Sequence, residues 1–178
     1  MPRNIMIVIC VCVSVSLFFN VEPVCSQPWS DFAIRSLPDT CFALVEIDKN
    51  GRKVRHFPYR DMNGFIDINQ LIYGLGTFGD ETWVESKNKE IARKDLEEHY
   101  HRLKLKQLKE EMTEPININK ADLEVLVRLP NIGPVSAVRI YRFRQTNGSF
   151  QRIEDVKKVE GIGSSTFAGI RHYVAVED

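Results

Sequence analysis

The chain has 178 residues, 43% of them hydrophobic, and its 24 Lys/Arg are balanced by 24 Asp/Glu. That is ordinary globular composition, with room for one domain or two small ones. Zero net charge excludes attraction of a polyanion by the field of the whole molecule, so any nucleic-acid contact must come from a local site.

The first segment, residues 1–26, reads as a secretory signal. Arg3 precedes an uncharged apolar run from Ile5 to Phe19, and Asn20, Glu22 and Pro23 follow it. The run is shorter than the roughly 20 apolar residues that span a bilayer. A cut after Ser26, with Val24 and Ser26 as the small residues, is therefore expected, and a retained N-terminal membrane anchor is the alternative. The mature chain is then exported and extracytoplasmic, or periplasmic. Cys10, Cys12 and Cys25 leave with the signal, and Cys41 has no partner for an internal disulfide.

Residues 27–80 read as a small α/β unit. "CFALVEI" and "RKVRHF" are β-rich runs joined by "DKNG", where Asn50-Gly51 predicts a hairpin. "FIDINQLIYGLGTF" follows as an apolar segment, helical in its first half and broken by Gly74, Gly76 and Gly79. Residues 81–114 form a charged connector, with eight Lys/Arg and eight Asp/Glu in 81–112 and neither Pro nor Gly there. Ala92, Leu96, Tyr100 and Leu103 draw a narrow apolar stripe, so one long, largely solvated helix is predicted, with i,i+4 pairs such as Glu97–His101.

Residues 115–178 repeat themselves at an offset of 30. Leu123 falls on Ile153, Leu126 on Val156, Leu129 on Val159, Ile132 on Ile162, Gly133 on Gly163 and Ile140 on Ile170. Each copy is helix, tight turn, helix, and neither buries its apolar face alone. Two copies packed about a pseudo-twofold axis form a compact four-helix unit. Asn119 suits an N-cap, with Asp122 three residues on, and Pro134 suits the first turn of its helix. Gly133 and Gly163 are expected to allow positive φ and to keep side chains off the turn. Asn131 stands where the second copy has Gly161, and Asn is the next most tolerant residue of left-handed geometry. Ile132 and Ile162 point inward, and the outer side of each turn presents backbone N–H groups at a helix start, a site for an anion.

These residues carry a resemblance. "ININKADLEVLVRLPNIGPVSAVRIYRFRQTNGSFQRIEDVKKVEGIG" is similar to the tandem helix-hairpin-helix domain of ComEA-like competence proteins. The resemblance covers about a third of the chain and implies sequence-independent binding of double-stranded DNA outside the cytoplasm, in DNA uptake. By position it assigns the contacts to Asn131, Ile132, Gly133 and Val135 in the first hairpin and Gly161, Ile162, Gly163 and Ser165 in the second. Arg139, Arg142, Arg144, Lys157, Lys158 and Arg171 are near enough in sequence to add charge. The basic residue usual after each hairpin is absent, since the chain reads Pro134-Val135 and Ser164-Ser165. Residues 115–178 carry nine Lys/Arg and seven Asp/Glu, a thin excess for a phosphate-binding module. The alternative is a periplasmic structural or protein-interaction module whose hairpins only pack. A shared positive face over Arg139, Arg142 and Lys157 separates the first reading from scattered, self-paired charges.

No other chemistry stands out. "YRDMNGFIDINQL" has an EF-hand outline around Gly64, but Tyr59 and Gln70 occupy the first and twelfth positions, so no calcium site is expected. His99 and His101 point to different faces of a helix and cannot share a metal. The expectation is an α+β protein without cofactor or catalysis: a small N-terminal unit with a β-hairpin, a long charged helix and an all-α tandem domain. Residues 27–112 are the segment open to a protein partner.

Overall fold

The computed structural model describes residues 29–107 and 114–176, the side chains of 104–107 excepted. The expected signal segment lies outside the described residues, as do residues 108–113 before the expected end of the charged helix. Among the described residues no helix is long and apolar enough to cross a membrane.

The architecture is mixed α and β. A short helix α1 (Asp31–Ser36) leads through a 3₁₀ turn (Asp39–Cys41) into β1 (Phe42–Ile47) and β2 (Lys53–Pro58). The two strands pair antiparallel, with Leu44 opposite His56 and Ile47 opposite Lys53. The predicted Asn50-Gly51 turn closes them. Gly51 has φ +77, and the Asp48 carboxylate accepts the N–H groups of Asn50 and Arg52 at 2.8 Å each. Cys41 lies in the turn before β1, a buried free thiol.

Helix α2 (Ile68–Gly76) starts at Asp67, whose side chain accepts the Gln70 N–H at 3.0 Å. It runs through Gly74, where the sequence pattern expected a break, because Gly74 is the place where Phe57 packs. A Cβ at Gly74 would lie 3.3 Å from the Phe57 ring. Phe57 takes φ +51, a strained conformation for a bulky residue, and its ring stacks on Phe78. The EF-hand-like outline is a closed turn, in which Asp61 Oδ1 accepts the Asn63 and Phe65 N–H groups. Among the described residues no group of three or more His, Cys, Asp or Glu could hold a metal ion.

The charged segment is the 22-residue helix α3 (Ser86–Gln107). Its stripe is the expected one: Ala92 and Leu96 are fully buried against Tyr59, Leu71 and Phe78, with Tyr100 beside them. Among the described residues its i,i+4 pairs are Asp95–His99 and Glu98–Arg102, two residues before and one after the expected Glu97–His101.

The third region is two helical hairpins. Helix α4 (Leu123–Leu126) and α5 (Pro134–Asn147) make the first; a 3₁₀ helix (Ile153–Lys158) and α6 (Ser164–Ile170) make the second. The repeat partners Leu126 and Val156, Leu129 and Val159, Ile132 and Ile162, and Ile140 and Ile170 are all at most 3% exposed. Burying such side chains stabilises by about 1.5–3 kcal/mol each. A two-residue parallel pair, β3 (Ile116–Asn117) with β4 (Val174–Ala175), ties the ends of this otherwise helical unit. The α4 cap is Asp122, whose side chain accepts the Val125 N–H. Asn119, the expected cap, instead clamps Phe150 by giving and taking hydrogen bonds with its backbone.

Helix α2 docks on this unit. Ile72 belongs to the same core as Val138 and Ile140, and Asn69 Oδ1 accepts the Glu124 N–H at 3.0 Å. At Gly76 the approach is so close that a Cβ would fall 2.4 Å from Val138 Cγ2 and 2.8 Å from the Pro134 carbonyl oxygen.

Candidate nucleic-acid interface

Both hairpin turns are built alike, with positive φ at the tolerant pair Asn131 and Gly161 and not, as was also expected, at Gly133 and Gly163. The left-handed residues are Asn131 (φ +61) and Gly161 (φ +83). Gly133 and Gly163 are extended N-caps, at φ −97, ψ −178 and φ −84, ψ −178. Neither backbone conformation nor packing within the fold requires glycine at either: a Cβ there would meet nothing within 4 Å. The middle residues Ile132 and Ile162 are buried, as expected, and each donates its N–H back to Leu129 or Val159. Neither α5 nor α6 has a side-chain cap, so the first-turn N–H groups face outward from a bare glycine. Pro134 is the first residue of α5, where its missing N–H costs nothing.

Each turn leans on the second helix of the other copy. Arg139 of α5 lies over Gly161: a Cβ there would be 2.5 Å from Arg139 Nη1. Arg139 also donates to the Glu160 carbonyl and pairs with its carboxylate. In the mirror contact Asn131 lies over Gly169 of α6, with 3.3 Å from Nδ2 to a Cβ placed there. Position 139 matches 169 and 131 matches 161 at the same offset of 30, so the contacts exchange as a twofold axis requires.

The cations do not form a shared face. Arg142 is exposed, donates to Asp80 Oδ2 at 3.1 Å and lies over the Tyr73 ring, so it fastens α5 to the N-terminal unit. Arg144 turns inward; it is 7% exposed, donates to the Ile118 carbonyl at 2.8 Å and stacks on Tyr141. Its expected place among surface cations is replaced by a structural one. Lys158 pairs with Asp155, whose carboxyl is held below its ordinary value by that hydrogen bond and the Arg152 N–H. Lys157 is exposed over the Phe167 ring and Arg171 is exposed beside His172.

The position after each hairpin differs. Ser165 is exposed. Val135 lines a shallow groove with Leu75, Phe78 and Tyr100, which gives a physical reason for an apolar residue where a basic one is usual. The same groove holds Arg93 and Glu97 of α3. Arg93 is exposed with its guanidinium over the Phe78 ring at 5.0 Å, a cation beside the first hairpin that sequence reasoning missed. Its only signal was membership of a charged helix, and the tertiary docking of α3 decides its neighbours.

The architecture defines a class. A family described as a helix-hairpin-helix motif matches residues 111–175, and this part of the chain is a ComEA-like helix-hairpin-helix domain. The chain is 44% identical over 62 residues to the ComE operon protein 1 of Bacillus subtilis (strain 168), covering 35% of this chain and 30% of that protein. It is also 33% and 32% identical over 66 residues to the Endonuclease/exonuclease/phosphatase family domain-containing protein 1 of Rattus norvegicus and of Mus musculus, covering 37% of this chain and 12% of each. The chain thus spans less than a third of the length of each of these relatives.

Proposed function

We propose that the tandem hairpins bind duplex DNA through its phosphates without reading sequence, outside the cytoplasm and in support of DNA uptake. The observation that carries this reading is the pair of equivalent turns, each with an open extended glycine ahead of an uncapped helix start. Such a start favours a phosphate by geometry and by the helix dipole. The relative named for the ComE operon supports the DNA-uptake role, and the apolar run at the N-terminus supports export. The contact residues are Asn131, Gly133, Gly161, Gly163 and Ser165, with Arg93 and Lys157 as flanking cations. No step of catalysis is assigned, because the stretch shared with the two endonuclease/exonuclease/phosphatase proteins is 12% of their length.

The pairing of Arg139 with Glu160, Arg142 with Asp80 and Lys158 with Asp155 favours a second reading, in which the hairpins hold a protein partner or only pack. Fluorescence anisotropy of labelled duplexes titrated with the full chain separates the two. On the DNA reading, binding weakens with salt, is equal for unrelated sequences, and falls about tenfold when Gly133 and Gly163 become Ala. The Cβ groups have room within the fold, so a loss reports crowding of the phosphate. No binding at low salt leaves the second reading.

A further inference from the structure

A cleft of about 480 Å³ lies in the N-terminal unit, remote from both hairpins in chain and lined by α1, the β-hairpin and α2. Its walls include Trp29, Phe42 and Tyr73. Gln70 also lines it; the residue is only 4% exposed, yet its side-chain amide makes no hydrogen bond within the described residues. Trp83 Nε1 is the one fully buried side-chain polar atom without a partner among the described residues, so the Gln70 amide keeps contact with solvent in the cleft and is open to a ligand that offers a donor and an acceptor. Glu81 stands on the same wall, fixed at 2.8 Å by His56 Nδ1. Arg35, Lys53 and Arg55 line the cleft as well, together with Asp31. Asp39 pairs with Lys53 and Arg55, and Arg35 is exposed with no ion pair among the described residues. The strained Phe57 is part of the lining, and strain of this kind collects at ligand sites.

We propose that this cleft binds a nucleoside monophosphate, with the base between the aromatic walls and its edge on Gln70, and the phosphate at Arg35, Lys53 and Arg55. An amide carries both a donor and an acceptor, which is what a base edge needs. Aromatic walls suit a planar ring, and a cluster of guanidinium and ammonium groups suits a dianion better than a single carboxylate does. The volume is in the range of small-molecule sites. The ligand is either a free mononucleotide or the 5′-phosphorylated end of a DNA strand; the chemistry recognised is the same.

The test is titration of the full chain with dAMP, dGMP, dCMP and dTMP, read by emission of Trp29, one of only two tryptophans. At least one nucleotide should quench saturably, with its nucleoside bound about tenfold more weakly. Arg35→Ala, a surface change, should weaken the nucleotide about tenfold and leave the nucleoside unchanged, and Gln70→Leu should weaken both. A 5′-phosphorylated single-stranded pentamer binding tighter than the mononucleotide identifies a strand end; equal binding identifies the free nucleotide. No quenching by any nucleotide at millimolar concentration, or equal quenching by inorganic phosphate, overturns the proposal. Gly163→Ala leaves this signal intact, so failure here and failure of duplex binding are told apart.

Discussion

Gly161 and Gly163 lie in the same turn, and a single methyl group would affect them in opposite ways. At Gly161 the backbone is left-handed and the space belongs to Arg139. Gly161→Ala should therefore destabilise by about 1–2 kcal/mol, measured by chemical denaturation, and Arg139→Ala should recover the part due to crowding. Gly163→Ala should leave the denaturation midpoint within about 0.5 kcal/mol of the parent, its cost falling on DNA affinity alone. A different residue sets the response to acid. Glu46 is buried, and desolvation pushes its carboxyl up. Hydrogen bonds from Asn88, the Val84 and Glu85 N–H groups and His56 outweigh this and hold it down at about 2, against an ordinary 4.5. A lowered folded-state value means the unfolded chain binds the proton first. The stabilisation is complete above about pH 5 and drains away as pH falls through 4.5 towards 2, on the order of 2–3 kcal/mol. Thermal melts between pH 6 and 3 should show the loss. Glu46→Gln should melt lower at pH 7, because an amide N–H₂ would meet those donors, and should flatten the acid response.

Between elements, the tightest seam is α2 on α5. Gly76→Ala would drive a methyl group into Val138 and the Pro134 carbonyl, and a loss of about 1–3 kcal/mol is expected from urea denaturation. This seam was not legible in the sequence. Periodicity marked the strands, the α3 stripe and both hairpins, because each is a local pattern or a repeat of one. It placed Gly76 among loop glycines, since nothing local distinguishes a glycine that ends a helix from one that lets another helix approach. The same limit explains Arg144, whose charge suggested a surface while a carbonyl 26 residues away drew it inward. The turns were half legible: Asn131 and Gly161 were read as an equivalent, left-handed-tolerant pair, but positive φ was also expected at Gly133 and Gly163. The Gly-x-Gly spacing did not reveal which glycine bends the chain and which one clears it. The buried Glu46–His56 pair and its partner Glu81 escaped altogether, because His56 is 10 and 25 residues from the two carboxylates and only the hairpin and the loop before α3 bring them together.

For the whole molecule, charge placement predicts a modest electrostatic contribution. Arg139, Arg142 and Lys158 are held in ion pairs and Arg144 is buried, so few phosphates are neutralised. The logarithm of DNA affinity should fall with the logarithm of salt at a slope of about −2 to −4, as for two to four phosphates. Arg142→Ala should leave that slope unchanged, because Arg142 serves Asp80, whereas Arg93→Ala should shorten it by about one. Filter binding over a salt series measures both.

The exchange of contacts between the hairpins, Arg139 over Gly161 and Asn131 over Gly169, carries a last consequence for the duplex proposed as partner. The DNA backbone has its own dyad, so a clamp with near-twofold symmetry seats equally well after a half-turn. The N-terminal unit, locked to α5 at Gly76, then points towards either end of the duplex, and molecules lined along one DNA would face both ways at random. What breaks the tie is the set of departures from symmetry at the two turns: Asn131 against Gly161, Pro134 against Ser164 and Val135 against Ser165.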